Sequence, residues 1–362
     1  MPRESALTTP GDGNGRGVTL EAVAREAGVS RATASRVLNN SPKVSPEVRR
    51  AVERSIARLG YVPNPAARSL VTRRSDSVGV VITEPTSRLF NEPFFPRLLR
   101  GISGELAARQ LQLVLLMPES RTDETRLEQY LLSGHVDGVV LVSLHGDDPL
   151  PGDLMRHGIP LVVGGRPASG VTASYVDVDN RDGARAAIRH LVSEGRRRIA
   201  TIAGPADMAP GLDRLTGYRD GLDEAGQARD ASLEAIADFT HEGGQQAMRH
   251  LLETRPDLDA VFAASDVMAS AALSVLRAAG RSVHDDIAVV GYDDSPLAEA
   301  SDPPLTSVRQ PIEEMGRELV RLLAASTERS SQATRRVLLS TELVIRRSSH
   351  AGSAVQAGRD RG

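Results

Sequence analysis

From Val78 onward, short apolar runs recur along the chain: VGVVI (78–82), LQLVLL (111–116), VDGVVLV (136–142), IPLVVG (159–164), RIATIAG (198–204), DAVFAAS (259–265) and IAVVGYD (287–293). Amphipathic segments with helical spacing lie between them, at 95–110, 123–133, 181–194, 211–226, 243–253 and 267–279. An unbroken apolar run marks a strand buried on both faces, and alternation with helices supplies the cover for those faces. The pattern therefore predicts doubly wound parallel sheets. Residues 78–350 are too many for one such sheet, so two Rossmann-like lobes are expected. Ligands of open α/β sheets bind beyond the carboxyl ends of the strands, which makes the residues after each run the binding candidates.

The amino-terminal part is of another kind. Residues 16–74 hold twelve Lys/Arg against four Glu, a net +8; with −1 on the first fifteen residues and −3 on the whole chain, −10 is left for the rest. A basic head on an acidic body points to a polyanionic partner for the head. Its helices can be read from caps and stripes. Thr19 caps a first helix with Leu20, Val23, Ala24 and Ala27 on one face, Gly28 ends it, and Ser30 caps a second. A third starts at Ser45-Pro46 and carries Val48, Ala51, Val52, Ile56 and Leu59. Three short helices with a tight turn between the first two make a helix-turn-helix over 18–63. On the second helix Ala34, Val37 and Leu38 face inward, while Arg31, Ala32, Ser35, Arg36 and Asn39 face outward, as a major-groove reader requires. The competing reading is a small helical bundle with a solvated charged face. The DNA-contact set drawn from this part is Thr19, Ser30, Arg31, Ala32, Thr33, Ser35, Arg36 and Asn39.

The connector 64–77 offers Asn64 as a cap, Pro65 at a first helical position and a helix-favouring run to Val71. It is too short to hold as a helix alone. From the residues, it is either a plain basic linker or a helix formed on DNA whose Leu70 wedges a minor-groove step. The polar ends, 1–17 and 351–362, are expected to be disordered tails.

In the body, Phe90, Phe94 and Phe95 fall together after the first strand, in a chain with only five Phe, and Phe239 lies in a separate loop. Aromatic faces on loops suit a sugar ring, although Phe94 or Phe95 could equally pack a helix start. Arg166, Asp266 and Asp293 sit at strand ends, with Arg214 near a helix start; Arg and Asp groups bind hydroxyls by multiple hydrogen bonds, or else form ordinary surface ion pairs. Several chemistries find no support. The chain has no cysteine, no Walker loop, no GxSxG and no HExxH. DVDNRDG (177–183) has its acids out of register for calcium, and Asp293-Asp294 point apart on a strand end, a poor glycosidase pair. No catalytic residue, metal or cofactor is expected. Neither is a membrane span or signal peptide, which leads to an expectation of a cytoplasmic protein.

VTLEAVAREAGVSRATASRVLN, VSPEVRRAVERSIARLGYVPNPAARSL, HLVSEGRRRIATIAGP, RLTGYRDGL and VVGYDDSPLAEASDPPLTSVRQP, spread from about Val18 to Arg346, resemble the lactose-repressor/galactose-repressor family of bacterial regulators. The resemblance implies a helix-turn-helix headpiece, a hinge helix and a periplasmic-binding-protein-like core of type I. Its lobes would divide at about 78–178 with 309–335, and 179–308 with 336–350. It further implies a homodimer on a pseudo-palindromic operator, with Arg31, Ala32 and Arg36 reading bases, Asn64 and Ala67 contributing from the hinge, and Leu70 intercalating at the operator centre. Arg214 and Asp293 match the family's effector-hydroxyl ligands, Phe239 its stacking aromatic, and Asp266 the Asp of an Asn-Asp pair whose Asn is here Ser265; with Phe94 and Arg166 these make the expected effector set. SLHGDDPLPG, GGRP and TEPTSRLFNEPFF look like the actinobacterial branch that answers to cellobiose and related β-glucosides. The tail lacks the leucine heptads of tetrameric members, so a dimer is expected. The function implied is repression of sugar-utilisation genes, relieved by sugar; the alternative within the family is a corepressor-type regulator whose ligand promotes DNA binding.

Overall fold

Two six-stranded sheets organise the body of this computed structural model, which describes residues 18–38, 41–62, 74–168, 170–328 and 334–350. The chain divides into two compact units, residues 1–75 and 76–362.

In the first unit, three helices, α1 (Leu20–Glu26), α2 (Arg31–Leu38) and α3 (Pro46–Leu59), enclose a small core of Val23, Ala24, Ala34, Val37 and Val52. The turn between α1 and α2 depends on Gly28, whose φ of 66° a side chain would resist. Asn39 and the hinge positions Asn64, Ala67 and Leu70 lie outside the described residues, as do both tails.

The second unit holds both sheets. The first-lobe elements are β1 (Ser77–Ile82), α4 (Thr86–Asn91), α5 (Phe94–Ala108), β2 (Gln112–Leu116), α6 (Arg121–Leu132), β3 (Gly138–Val142), α7 (Leu150–Arg156), β4 (Leu161–Gly164) and β5 (Ser174–Val178). The second lobe follows with α8 (Asn180–Ser193), β6 (Ile199–Ala203), α9 (Ala209–Glu224), β7 (Glu234–Ile236), α10 (His241–Thr254), β8 (Ala260–Ala263), α11 (Asp266–Ala278), β9 (Ala288–Asp293), α12 (Pro296–Ala300) and β10 (Thr306–Arg309). Then come α13 (Ile312–Glu328), β11 (Arg336–Leu339) and β12 (Glu342–Val344). Strand order is β2-β1-β3-β4-β5-β11 in one sheet and β7-β6-β8-β9-β10-β12 in the other. All pairings are parallel except β10 with β12. Every residue of β3, β6, β8 and β9 is buried, the consequence of helices covering both faces.

The chain passes between lobes at 179, at 310–311 and at 340–341. The last position corrects the expected boundary near 335: Arg336–Leu339 pairs in parallel with β5, from Arg336 opposite Tyr175 to Leu339 opposite Val178, and so completes the first sheet. The run RVLL is four residues long on a sheet edge, with alternate residues exposed, too short a signal to assign to either sheet beforehand. After the second passage α13 returns to the first lobe and buries Ile312, Met315, Leu319, Val320, Leu322 and Leu323 in its core. Backbones touch where it crosses α5. A Cβ on Gly101 would stand 2.1 Å from the Glu313 carbonyl oxygen, and one on Gly316 would stand 2.5 Å from that of Leu98.

Candidate effector cleft and DNA-binding face

In the headpiece, the caps are in place. Thr19 Oγ1 accepts the Ala22 N–H at 3.3 Å, and Ser30 Oγ accepts the Thr33 N–H at 3.1 Å while sharing a hydrogen bond with the Thr33 hydroxyl. These caps orient α2 so that Ala34 and Val37 are buried while Arg31, Ala32 and Arg36 are exposed, with Ser35 and Thr33 half-buried beside them. Arg31 pairs with Glu21 of α1 at 2.6 Å; both side chains are largely in water, so the pair is weak and readily exchanged.

In both sheets the winding reverses direction between the strand pairs β1/β3 and β6/β8, and a cleft opens at the carboxyl ends of these strands. It encloses about 730 Å³ including its mouth, within the range of small-ligand sites. The first lobe contributes Arg88, Glu92, Phe94, Ser143, Arg166, Asp177 and, from α13, Met315; the second contributes Asn180, Met208, Arg214, Phe239 and Asp293; Gln310 comes from the second passage.

The second-lobe wall is built around a buried guanidinium. Arg214 donates from Nε to Asn180 Oδ1 at 2.8 Å and from Nη1 to the Ala264 carbonyl, and lies 3.7 Å from Asp293 Oδ1. Its planar face rests 3.8 Å from the Tyr292 ring centroid, a cation–π contact made stronger by the absence of water. Asp293 also accepts a hydrogen bond from Gln310 Nε2. Burial raises the Asp293 carboxyl above its ordinary range against the pull of Arg214. Phe239 covers Gly204, where a Cβ would come within 2.2 Å of the ring, and is flanked by the guanidinium groups of Arg88 at 5.3 Å and Arg214 at 5.8 Å. Ser143, Phe239 and Asp293, all lining the cleft, have positive φ, a conformation that side chains resist.

The first-lobe wall is a ladder. Arg88 donates to Glu84 from Nη1 and to Glu92 Oε2 at 2.9 Å from Nε. Glu84 also accepts from Ser143 Oγ at 2.6 Å and His145 Nε2 at 3.1 Å. Burial lifts the Glu92 carboxyl to about 7, with Arg88 opposing and Asp293 adding to the rise. Asp177, pushed by burial to about 6, accepts the backbone N–H of Arg166 at 3.0 Å and Asn180 Nδ2 at 3.0 Å. These groups can orient hydroxyls, and the aromatic edges can pack a ring.

Two profiles of known families match the chain: bacterial regulatory proteins, lacI family, over residues 19–64, and periplasmic binding protein-like domain over 188–349. The HTH-type transcriptional regulator CelR of Thermobifida fusca is 53% identical over 333 residues, 91% of this chain and 98% of that one. The chain belongs to the lacI family. The ribose operon repressor of Halalkalibacterium halodurans is 34% identical over 92% of this chain and 98% of its own. Among solved structures, a CelR–cellobiose complex aligns with TM-score 0.74 and 50% identity, covering 92% of this chain and 100% of that one. A lac repressor dimer bound to operator and the anti-inducer ONPF aligns with TM-score 0.82 and 26% identity, over 93% and 100%.

Of the effector residues expected, Arg214, Phe239 and Asp293 from the family resemblance and Phe94 and Arg166 from their places on loops and strand ends line one cleft. Asp266 does not. It is fully buried, accepting the Ser295 N–H and the Ser307 hydroxyl, each at 2.6 Å, and so holds the turn after Asp293 from beneath. Ser265, which stands in place of the family's Asn, caps α11 through the Met268 N–H at 3.2 Å. A Ser-Asp pair opening a helix after a strand is itself a capping signature, and it accounts for both positions. Phe94 and Phe95 divide the two roles open to them: Phe95 is buried in the first-lobe core, and Phe94 lines the cleft edge-on to it at 5.4 Å. Sequence reasoning missed Glu84, Arg88 and Glu92, whose only signal is their four-residue spacing, and also Asp177, Asn180 and Gln310, which flank the passages between lobes.

Proposed function

We propose that this lacI-family chain is a sugar-responsive transcriptional repressor that acts as a cytoplasmic homodimer and releases a pseudo-palindromic operator when cellobiose or a short cello-oligosaccharide enters the cleft. The observation that carries the reading is the cleft itself: Arg214 and Asp293 held out of water on the second-lobe wall, with Phe94 and Phe239 offering apolar surface from the two lobes. The kinship with CelR and with its cellobiose complex selects the disaccharide. Arg214 and Asp293 are assigned to sugar hydroxyls, Phe239 and Phe94 to ring faces, and Arg166 to the rim. Asp266 is assigned a supporting role under Asp293. On the DNA side, Arg31 and Arg36 take base edges, Ala32 takes an apolar base contact, and Thr19, Ser30, Thr33, Ser35 and Asn39 complete the contacts around them. Asn64, Ala67 and Leu70 are assigned to the minor groove at the operator centre. No residue is given a catalytic role.

Release follows from the way the cleft is tied to the passages between lobes. Asn180, just past the first passage, accepts from Arg214; Gln310, at the second, donates to Asp293. A sugar that engages Arg214 and Asp293 rearranges bonds that fix the angle between lobes, and that angle sets the separation of the two headpieces. The ligand shifts the balance only by its difference in affinity for the two forms, so operator must weaken sugar binding by the same factor. The test is a gel shift on the chain's own upstream region with a panel of di- and oligosaccharides, joined to calorimetry with and without the operator fragment. Release by cellobiose with reciprocal weakening is expected. Equal sugar affinity with and without DNA, or tighter DNA binding with ligand, would refute the reading.

A further inference from the structure

The ladder of the first lobe does not stop at the cleft wall. Glu84 Oε1, which accepts from Arg88, also receives His145 Nε2, and the opposite ring nitrogen, Nδ1, reaches Asp207 Oδ2 at 2.9 Å. His145 follows β3 in the first lobe, whereas Asp207 precedes α9 in the second. The same junction carries a backbone bond, from the Gly146 N–H to the Asp207 carbonyl at 2.8 Å. One imidazole thus spans the rim of the cleft, and its anchor on the near side is shared with a residue that lines the interior.

Among the described residues, two further side-chain hydrogen-bonded contacts bridge the lobes away from the passages: Arg166 with Asp213 at 2.6 Å, and Arg97 with the carbonyls of Asp293 and Asp294 at 3.1 and 3.3 Å. Arg166 is a half-exposed surface pair, and Arg97 holds only backbone; neither is wired back through a carboxylate to the Arg88–Glu92 ladder. His145 is.

We infer that His145 and Asp207 form an interlobe latch that retains the effector, and that Glu84 couples this latch to Arg88 within the cleft. The inference rests on the cleft being the effector site. An imidazole bonded to carboxylates at both nitrogens donates from both, so it is the imidazolium that makes the bridge. The bond to Glu84, against partial burial and with the help of Asp207, pushes His145 up to about 9. Burial works against Glu84, but His145 and Arg88 together hold it below its ordinary range. Glu124, Glu128, Asp148 and Asp153 line the groove that His145 borders on its outer side and add to the negative surroundings of the ring. The latch is therefore fully formed below the ordinary histidine value of about 6.5 and is lost as pH rises through about 9.

The chain has no cysteine, so spin labels placed at Gln129→Cys on α6 and Gln246→Cys on α10 report the distance between lobes in the full-length protein. In this background H145Q and D207N are each expected to lengthen and broaden the interlobe distance without sugar. Both are expected to release cellobiose about tenfold faster, a figure for the one interlobe charge-assisted bond that each removes, discounted for the partial exposure of the ring. Raising pH from 8 to 10 should lengthen the distance in the parent and leave H145Q unchanged. Distances that are the same in the parent and both variants at every pH would overturn the latch. Failure of the parent to bind cellobiose would overturn the proposed effector instead, and the sugar-free distances would still decide the latch.

Discussion

Arg36 and Arg214 carry the same side chain into opposite physical situations. Arg36 stands on the outer face of α2, exposed, in a unit whose core is five small or β-branched residues. Arg214 is 5% exposed and spends its donors on Asn180, on the Ala264 carbonyl and on the approach to Asp293, with an aromatic ring beneath it. The exposed arginine can exchange water for a polyanion without disturbing the core of its unit. The buried one is part of the fold, and a ligand can reach its pair only by competing for bonds already made. Long-range charge suits the first for encounter, and fixed geometry suits the second for discrimination.

The largest effect that would sharpen this contrast comes from R214A. It leaves Asp293 buried with its cationic neighbour gone, and urea unfolding should show a loss of about 3–5 kcal/mol from the lobed unit. R36A should leave that transition where it is, and equal losses in the two variants would break the contrast. Next in size, reversing Arg31 and Arg36 together to Glu should lower operator affinity at least about a hundredfold, since each base or phosphate contact is worth about 1–3 kcal/mol. Calorimetry should show sugar affinity without DNA unchanged, and the salt dependence of residual DNA binding should flatten.

The third prediction concerns pH. Glu92 has its carboxyl raised to about 7, so between about 4.5 and 7 the unfolded chain ionises it while the native state does not. Through this group, wild-type stability falls as pH climbs across that window and is level above it. E92Q removes the dependence, so its melting temperature relative to wild type should rise from pH 4.5 to 7, by the equivalent of about 1–3 kcal/mol. A difference that does not vary with pH would place Glu92 outside the buried ladder. The smallest effect belongs to R166Q. Arg166 is itself exposed, although its partner Asp213 is half-buried, so stability should change by less than about 1 kcal/mol, and a larger loss would show that this rim pair is not screened as the exposure of Arg166 implies.

Most of the second-lobe wall was legible beforehand. Arg214, Phe239 and Asp293 follow or face strands whose apolar runs are unmistakable, and the family resemblance assigned them roles. Arg166 and Phe94 were reached in the same way from the first-lobe strands. The Glu84–Arg88–Glu92 ladder was not legible, because charges four apart on a short helix usually mark a solvated face. Here α4 is only six residues long and holds Arg88 alone, while Glu84 and Glu92 lie just beyond its two ends and are buried with it, so the familiar spacing carries the opposite meaning. Asp266 failed for the reverse reason. A carboxylate at a strand end looks like a ligand, and only its bonds to Ser295 and Ser307 show it facing the core.

Local chemistry alone pointed to three short helices with a tight turn, to the run of buried strands and to the carboxyl-end location of the cleft residues. Each of these depends on periodicity, caps or the handed winding of βα units, which act over a few residues to one turn of chain. Which lobe β11 joins, which carboxylates meet across the cleft and which imidazole bridges its rim were decided only by folding. Those pairings join residues dozens to hundreds of positions apart, and a hydrogen bond between them has no period along the chain to announce it.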